Sequence, residues 1–600
     1  MLSGYLGKIL FVDLSNGAVK GEMLDEKLCR DFIGGYGIAA RIIYSKQRGR
    51  VDPLGPDNTL AFLTGPLTGT RIPFGARFTV ASKSPLTGTW GDSNCGGDFG
   101  PHLKFAGYDG VFFSGVSEKP VYLLVNDGKV ELRDATHLWG KDTNETEDLI
   151  KSELGNKFRV ASIGPAGEKK SLLACIIVDK GRAAGRSGLG AVMGSKKLKA
   201  LVVTGAAEIS VADPKAVESL RKEYLPMIKG PVADSLRKFG FSGNMSAIAH
   251  SGGSPIKNWS GVGIRDFPNA HLISDESVAV HCEKRYGCYR CPINCGGIMK
   301  PGKEYSYAAG VHRPEYETLA AFGSMCLNDQ LESIIKANDL CNRYGMDTMS
   351  TGSTIAFAME CYENGLITKE DTEGIQLTWG NHGAIVAMTE KMVTREGFGA
   401  LLADGSKMAA EKIGKGAEKY AFHCHGQELP MWDPRFIPAY GCAYQWDPTP
   451  GRHTQSGHSG KDGQFDAKLK GLKHLMHVAG VCIVGNYFFP QDWVIKSLVA
   501  VTGWQLSPEE VKGIYERISC IRQAFNLREG LTPKEFKLRG RPIGDPPLTE
   551  GPNANVTLEL DALARSYLED MDWDPATGKP SSKKLMELGL EDVARDIWEN

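Results

Sequence analysis

Up to about Gly205 the chain alternates apolar and polar residues in short runs broken by Gly, Asn and Pro, the period-two pattern of half-buried strands. Two runs are alike: Lys8-Ile9-Leu10-Phe11-Val12-Asp13-Leu14-Ser15-Asn16-Gly17 and Val121-Tyr122-Leu123-Leu124-Val125-Asn126-Asp127-Gly128-Lys129-Val130. Each is an apolar strand leading into an Asn-Gly or Asp-Gly turn, the strongest short hairpin signal. They predict a β-rich platform of two related halves. From about Ile209 the apolar spacing becomes helical, and the pattern predicts helices over 213–228, 274–286, 328–344, 353–364 and 382–396. In the third of these Leu331, Ile334, Ile335 and Leu340 form a stripe, with Gly345 placed to cap the C-terminus. After an irregular loop over 433–454, a helix is expected over 472–479, ending in Gly480-Val481-Cys482. The box Ser507-Pro508-Glu509-Glu510 opens another that runs to Asn526. The fold class is therefore α+β: an N-terminal β domain over 1–208 and two mainly helical domains over 209–417 and 418–600.

Six hundred residues leave room for three or four domains at roughly 150 residues each. With 70 basic against 71 acidic residues and no dense Lys/Arg run, neither nucleic acid nor an anionic membrane is indicated as a partner. No apolar run approaches the roughly eighteen residues of a membrane span, and Lys8 and Asp13 interrupt the N-terminal segment where a secretory core would be apolar. The expected location is the cytoplasm. Fourteen cysteines there imply reduced thiols and metal ligation rather than disulfides.

The densest chemistry lies in Gly287-Cys288-Tyr289-Arg290-Cys291-Pro292-Ile293-Asn294-Cys295-Gly296-Gly297. Its glycines let the backbone turn sharply around several thiolates, and Pro292 removes a competing N–H donor. An iron–sulfur cluster suits this spacing best, ahead of a zinc knot or three unliganded thiols. A fourth ligand is required. Cys282 is the only nearby thiol, in a stretch read as helix, so a distant residue is needed, and Cys482 is the candidate. Two glycine-rich loops, 91–100 and 181–194, leave the backbone open to approach, and Arg182 and Arg186 add charged donors suited to phosphate. Neither fits a dinucleotide or P-loop pattern, and tight turns alone would explain them equally well.

Four stretches together resemble the tungsten-dependent aldehyde:ferredoxin oxidoreductases over nearly the whole chain: 181–196, 288–296, Pro314-Glu315-Tyr316-Glu317-Thr318, and Tyr344-Gly345-Met346-Asp347-Thr348-Met349-Ser350-Thr351-Gly352. That resemblance implies a tungsten bis-pterin cofactor seated on the β domain and a [4Fe–4S] cluster held by Cys288, Cys291, Cys295 and Cys482. It implies Arg77 between cluster and pterin, and Mg2+ bridging the pterin phosphates from the carbonyls of Asn94 and Ala183, beside Gly96 and Gly185. The two pterin-binding motifs read Asn342 to Asp347 and His477 to Cys482. Gly345, Gly480 and the final Asp347 and Cys482 stand, while Asn342 and His477 replace leading aspartates. The resemblance places Glu315 and His453 as the acid/base pair, with Glu317 as a rival carboxylate that otherwise reads as an exposed helix-start charge. Electrons would pass from aldehyde through the cluster to ferredoxin or a small iron–sulfur subunit, in a homodimer or a larger complex. Molybdenum in place of tungsten is not distinguished by the sequence.

The main rival lies in the same family, the tungsten enzymes that reduce the ring of benzoyl-CoA. Those relatives carry a tungsten-ligating cysteine shortly before the helix that follows the cluster loop. This chain has none between Cys295 and Cys326, which favours aldehyde oxidation, though Cys326 keeps the rival open. A non-catalytic electron-transfer subunit is a weaker alternative, since it would need only the four cysteines. Aromatic residues over 305–311 and at Tyr444, Trp446 and Tyr487 are candidates to line an aromatic substrate pocket.

Overall fold

The computed structural model describes residues 2–307, 309–458 and 465–599. Met1 and Asn600, the outer ends of the expected domains, and Ala308 in the 305–311 loop lie outside them. The N-terminal region holds two sheets. The first contains β1 (Lys8–Asp13), β2 (Ala18–Met23), β3 (Leu60–Thr64), β4 (Phe78–Lys83), β5 (Trp90–Cys95) and β6 (Gly110–Ser114). The second contains β7 (Val121–Asn126), β8 (Lys129–Asp134), β9 (Arg159–Ser162), β10 (Ile176–Val178), β11 (Arg182–Ala184) and β12 (Leu198–Thr204). Their spatial orders, β2-β1-β6-β3-β4-β5 and β8-β7-β12-β9-β10-β11, match strand for strand. The directions match too: β1 runs parallel to β6 as β7 does to β12, and every other neighbour is antiparallel.

The expected pair of related halves is thus a duplicated six-stranded topology. The two hairpins that gave the clue differ in loop length. Asp127 and Gly128 both take positive φ, as a two-residue turn requires, whereas the β1–β2 turn spans four residues with only Gly17 left-handed. The sheets share one core. Leu10, Val12, Phe62, Phe78 and Val80 from the first pack with Leu123, Val125, Ile176, Val178, Leu201 and Val203 from the second. The edge strands β5 and β11 lie against each other, which brings the two glycine-rich loops together.

Beyond β12 the chain is mainly helical. The 328–344 expectation holds as Leu331–Tyr344, closed by left-handed Gly345. The 472–479 helix is longer, Ala467–Ala479, because Asp466 caps it through the Leu469 N–H, and it closes on left-handed Gly480. Ser507 and Glu510 form the expected capping box of Pro508–Arg528. The helix expected over 353–364 begins earlier, at Thr348, because the Asp347 carboxylate accepts from the Met349 N–H. The 274–286 expectation is corrected: the helix ends at Val280, and Cys282–Tyr286 is a strand paired with Gly296–Met299. The cysteine loop needs a closed base, and this hairpin supplies it by setting Tyr286 opposite Gly296. Among the described residues no helix is long and apolar enough to cross a membrane.

The two left-handed helix ends dock on the duplicated sheets in the same way. Arg77, just before β4, donates its N–H to Gly480 O at 3.0 Å, and Cys175, just before β10, donates to Gly345 O at 2.9 Å. The Cys482 N–H reaches Phe74 O at 3.1 Å, and the Asp347 N–H reaches Leu173 O at 2.9 Å. Neither glycine tolerates a side chain: a Cβ on Gly480 would sit 2.0 Å from Thr68 Oγ1, and one on Gly345 would sit 2.9 Å from Gly164 N. Sequence positions 342–347 and 477–482 are therefore equivalent places on two halves of one scaffold.

A buried ionic network fixes the loop after Trp446. Arg522 Nη2 donates to Asp447 Oδ1 at 2.9 Å, Asp92 Oδ2 at 3.1 Å and Thr449 Oγ1 at 2.8 Å, while Lys470 pairs with the other Asp447 oxygen. Arg522, Asp92 and Asp447 are fully buried. The two cations hold the Asp447 carboxyl below the usual carboxylate range despite its burial. Removing one partner strands the others in a dry interior. Arg522→Met is expected to cost about 3–5 kcal/mol, seen as a lower thermal unfolding midpoint, and an unchanged midpoint would show that the network adds no net stability.

Candidate active site

The catalytic and ligand candidates gather around two adjoining cavities of about 290 and 840 Å3. Arg77, Arg182, Glu315, Glu317, His453 and Thr454 line both. The smaller lies over the sheet edges and is bounded by Asn94 and Gly96 of the first half and by Arg182, Ala183, Gly185 and Arg186 of the second. Asn342 and Asp347 close its helical side. The larger is lined by all four cysteines singled out in the sequence, Cys288, Cys291, Cys295 and Cys482. The loop after Gly480 thus brings Cys482 to the three clustered thiols from far along the chain. Cys282 stays on its strand, outside both linings, with its thiol toward Lys284 O.

Arg77 stands at the junction. Its Nε donates to Asn94 Oδ1 at 2.5 Å and its Nη2 to Asn94 O at 3.3 Å. A Cβ on Gly96 would lie 2.8 Å from Cys288 Sγ and 2.9 Å from Arg77 Nη1, so glycine leaves room for both side chains. Arg182 stacks on Tyr286, 4.8 Å from the ring centroid, and its Nη1 lies 3.9 Å from Glu315 Oε1. Its Nε and Nη2 are buried without hydrogen-bond partners, as is Thr454 Oγ1, while His477 lies outside both linings with its Nε2 3.4 Å from Thr454 O. Such a set of unsatisfied polar groups beside a cavity fits an anionic, acceptor-rich occupant, since buried polar groups left unpaired are costly. A pterin phosphate has that chemistry. Arg186 spends two of its nitrogens on the protein, Nη1 on Gly451 O at 3.0 Å and Nη2 on Glu428 O at 2.5 Å, and its Nε, 3.4 Å from Asp347 Oδ2, is buried without a hydrogen bond. It ties the 451–454 loop to the second half of the site.

The structure pairs His453 with Glu317. His453 Nε2 lies 3.4 Å from Glu317 Oε1, and the other carboxylate oxygen accepts the Met431 N–H at 2.8 Å. The side chain of Glu317 is 18% exposed, in contrast to the solvated helix-start charge that its position suggested. Glu315, 39% exposed, caps the same Tyr316–Phe322 helix and faces Arg182 instead. Burial raises the Glu317 carboxyl to about 7. Burial also lowers His453 to about 3, helped by Arg452 and Arg186. The pair is a neutral imidazole beside a carboxyl that titrates near neutrality, which suits proton transfer better than a fixed ion pair.

Several aromatic candidates are placed elsewhere. Tyr444 and Trp446 are buried in the Pro438–Trp446 helix, and Tyr307 is buried outside both cavities. Tyr487 alone of that group lines the larger cavity, whose other aromatic walls are Phe74, Phe241, Tyr316, Trp432 and Tyr440. Proximity in sequence gave no signal for these, because they converge from separate segments. Cys326 is fully buried, with its thiol toward Ala321 O and Gly352 O, outside both linings.

Two family models cover almost the whole chain: the N-terminal domain of aldehyde ferredoxin oxidoreductase over residues 9–205, and domains 2 and 3 of the same enzyme over residues 217–590. The tungsten-containing aldehyde ferredoxin oxidoreductase of Pyrococcus horikoshii is 38% identical over 98% of this chain and 99% of its own length. The enzyme of the same name from Pyrococcus furiosus is 37% identical over the same shares. Among solved structures, the active-site complex BamBC of benzoyl coenzyme A reductase, bound to 1,5-dienoyl-CoA, superposes with a TM-score of 0.86 at 26% identity, over 100% of this chain and 99% of that one. The chain belongs to the aldehyde ferredoxin oxidoreductase family. It is an oxidoreductase.

Proposed function

We propose that this protein oxidises an aldehyde to a carboxylic acid and passes the electrons one at a time to ferredoxin or a small iron–sulfur subunit. The observation that carries the reading is the junction of the two cavities, where four thiols, the unsatisfied Arg182 donors and the Glu317–His453 pair share one space. Cys288, Cys291, Cys295 and Cys482 would hold a [4Fe–4S] cluster, and Arg77 would lie between it and a tungsten bis-pterin, molybdenum being the other metal the site would accept. The carbonyls of Asn94 and Ala183 would hold Mg2+ against the pterin phosphates, with Gly96 and Gly185 giving access and Arg182 supplying charge. Asn342, Gly345 and Asp347 would seat one pterin, and His477 and Gly480 the other. Arg186 would keep the His453 loop in place.

When bound, the tungsten cofactor supplies the two-electron acceptor for the aldehyde. The protein's own task is the proton. Glu317, as carboxylate, takes a proton from the water that adds to the carbonyl carbon and releases it to solvent between turnovers, while neutral His453, 3.4 Å away and too weakly basic to hold that proton, positions the carboxylate. Glu315 and Arg182 orient polar groups at the junction. We divide the chain at 1–208, 209–417 and 418–600, and assign it to the cytoplasm, as a homodimer or a subunit of a larger complex. The likeness to benzoyl coenzyme A reductase supports ring reduction as a second reading. Against it stands Cys326, turned into the core rather than into either cavity. Aldehyde-dependent reduction of a viologen dye by anaerobically purified protein tests the main reading.

A further inference from the structure

The larger cavity contains a cation that the chemistry above does not use. Lys473, one turn before His477 on the Ala467–Ala479 helix, projects into it. Its ammonium donates to Ser456 Oγ at 3.4 Å, the one hydrogen-bond partner it has among the described residues. An ammonium carries three donors, and among the described residues no carboxylate forms an ion pair with it. The carboxylates that line the cavity are engaged: Glu317 with His453 and the Met431 N–H, Glu315 toward Arg182. Much of the wall of the same cavity is apolar and aromatic, with Phe74, Leu236, Phe241, Ile248, Trp432 and Tyr440 in its lining. Burial and the neighbouring Lys470 push the Lys473 ammonium down to about 8, so it is held in a partly dry place with no carboxylate beside it among the described residues. Ser456 donates its backbone N–H to His453 O at 3.0 Å, so the cation lies just beyond the proton-transfer pair along the same loop.

We propose that Lys473 is a specificity residue that binds an anionic substituent, and that the substrates are aldehydes with an aromatic body and a carboxylate or similar anion at the far end. This rests on the aldehyde-oxidation reading and narrows it. The apolar wall takes the ring, the Glu317–His453 end takes the formyl group, and Lys473 takes the anion. The lysine completes a charge-assisted pair only when such a substrate is bound. A neutral aldehyde of the same size gains the apolar contacts and leaves the ammonium unpaired.

The test compares kcat/KM for 3- and 4-formylbenzoate with that for benzaldehyde, using the full holoenzyme and a viologen acceptor. The better formylbenzoate is expected to lead by about ten- to a hundred-fold, the worth of one charge-assisted pair. In Lys473→Met that ratio should fall by about the same factor, and Lys473→Arg should restore most of it. A wild-type ratio at or below unity would overturn the proposal while leaving aldehyde oxidation standing. So would a ratio that Lys473→Met leaves unchanged while the midpoint potential of the cluster moves, which would show that the cation serves the cluster. Failure to oxidise any of the three aldehydes would overturn the proposal, and only failure with aliphatic aldehydes as well would overturn the aldehyde-oxidation reading.

Discussion

Replacing Glu317 by glutamine lowers kcat for aldehyde oxidation by about two to four orders of magnitude, the usual worth of a positioned acid–base group. The substitution keeps the shape of the side chain and the acceptor for the Met431 N–H, so metal content should stay at the wild-type level. The pH profile separates this role from a structural one. The base form of Glu317 is populated above about 7, so kcat/KM of the wild type should rise with pH through that value, and the limb should vanish in Glu317→Gln. His453→Ala should produce a loss of similar size, and the double variant little more than either single one, because His453 positions the carboxylate and the two residues act as a unit. Glu315→Gln is expected to cost less. Near-normal turnover in Glu317→Gln would return the carboxylate role to Glu315.

Cys482→Ala is expected to abolish the EPR signal of a reduced four-iron cluster and with it electron delivery to any external acceptor. The other three thiols come from one loop between two short strands and remain in place. Three thiolates leave one iron without protein ligation, and such a site loses iron readily. Cys282→Ala is the matched control: its thiol lies outside the cavity and its loss should leave the signal intact. A retained four-iron signal in Cys482→Ala, with its loss in Cys282→Ala, would reverse the assignment.

Much of the scaffold was legible in the sequence because it rests on local signals. The Asp127-Gly128 turn, Gly345 and Gly480 as left-handed helix ends, and the Ser507 capping box all depend on a few adjacent residues, and all stand. The Cys288–Cys295 loop was equally plain. What failed was decided by partners distant in the chain. Cys282–Tyr286 continues a helical pattern, yet it forms a strand because Gly296–Met299 returns beside it across the cysteine loop. Glu317 reads as a surface charge from its position near a helix start, and only packing against Met431 and His453 buries it. The same holds for Lys473, since the cavity it enters is walled by segments far apart in the chain. The strand-for-strand duplication of the two sheets was visible only as a likeness between two hairpins, since the remaining strands share topology without sharing sequence.

The central claim is aldehyde oxidation at a tungsten site, and the most direct measurement is the rate of viologen reduction by anaerobically purified protein given an aldehyde, with the carboxylic acid product followed in the same vessel. The account predicts dye reduction that depends on the aldehyde, with about two electrons released per acid formed. Dye reduction that never depends on an aldehyde, or oxidation of dienoyl-CoA in its place by the same preparation, would contradict it.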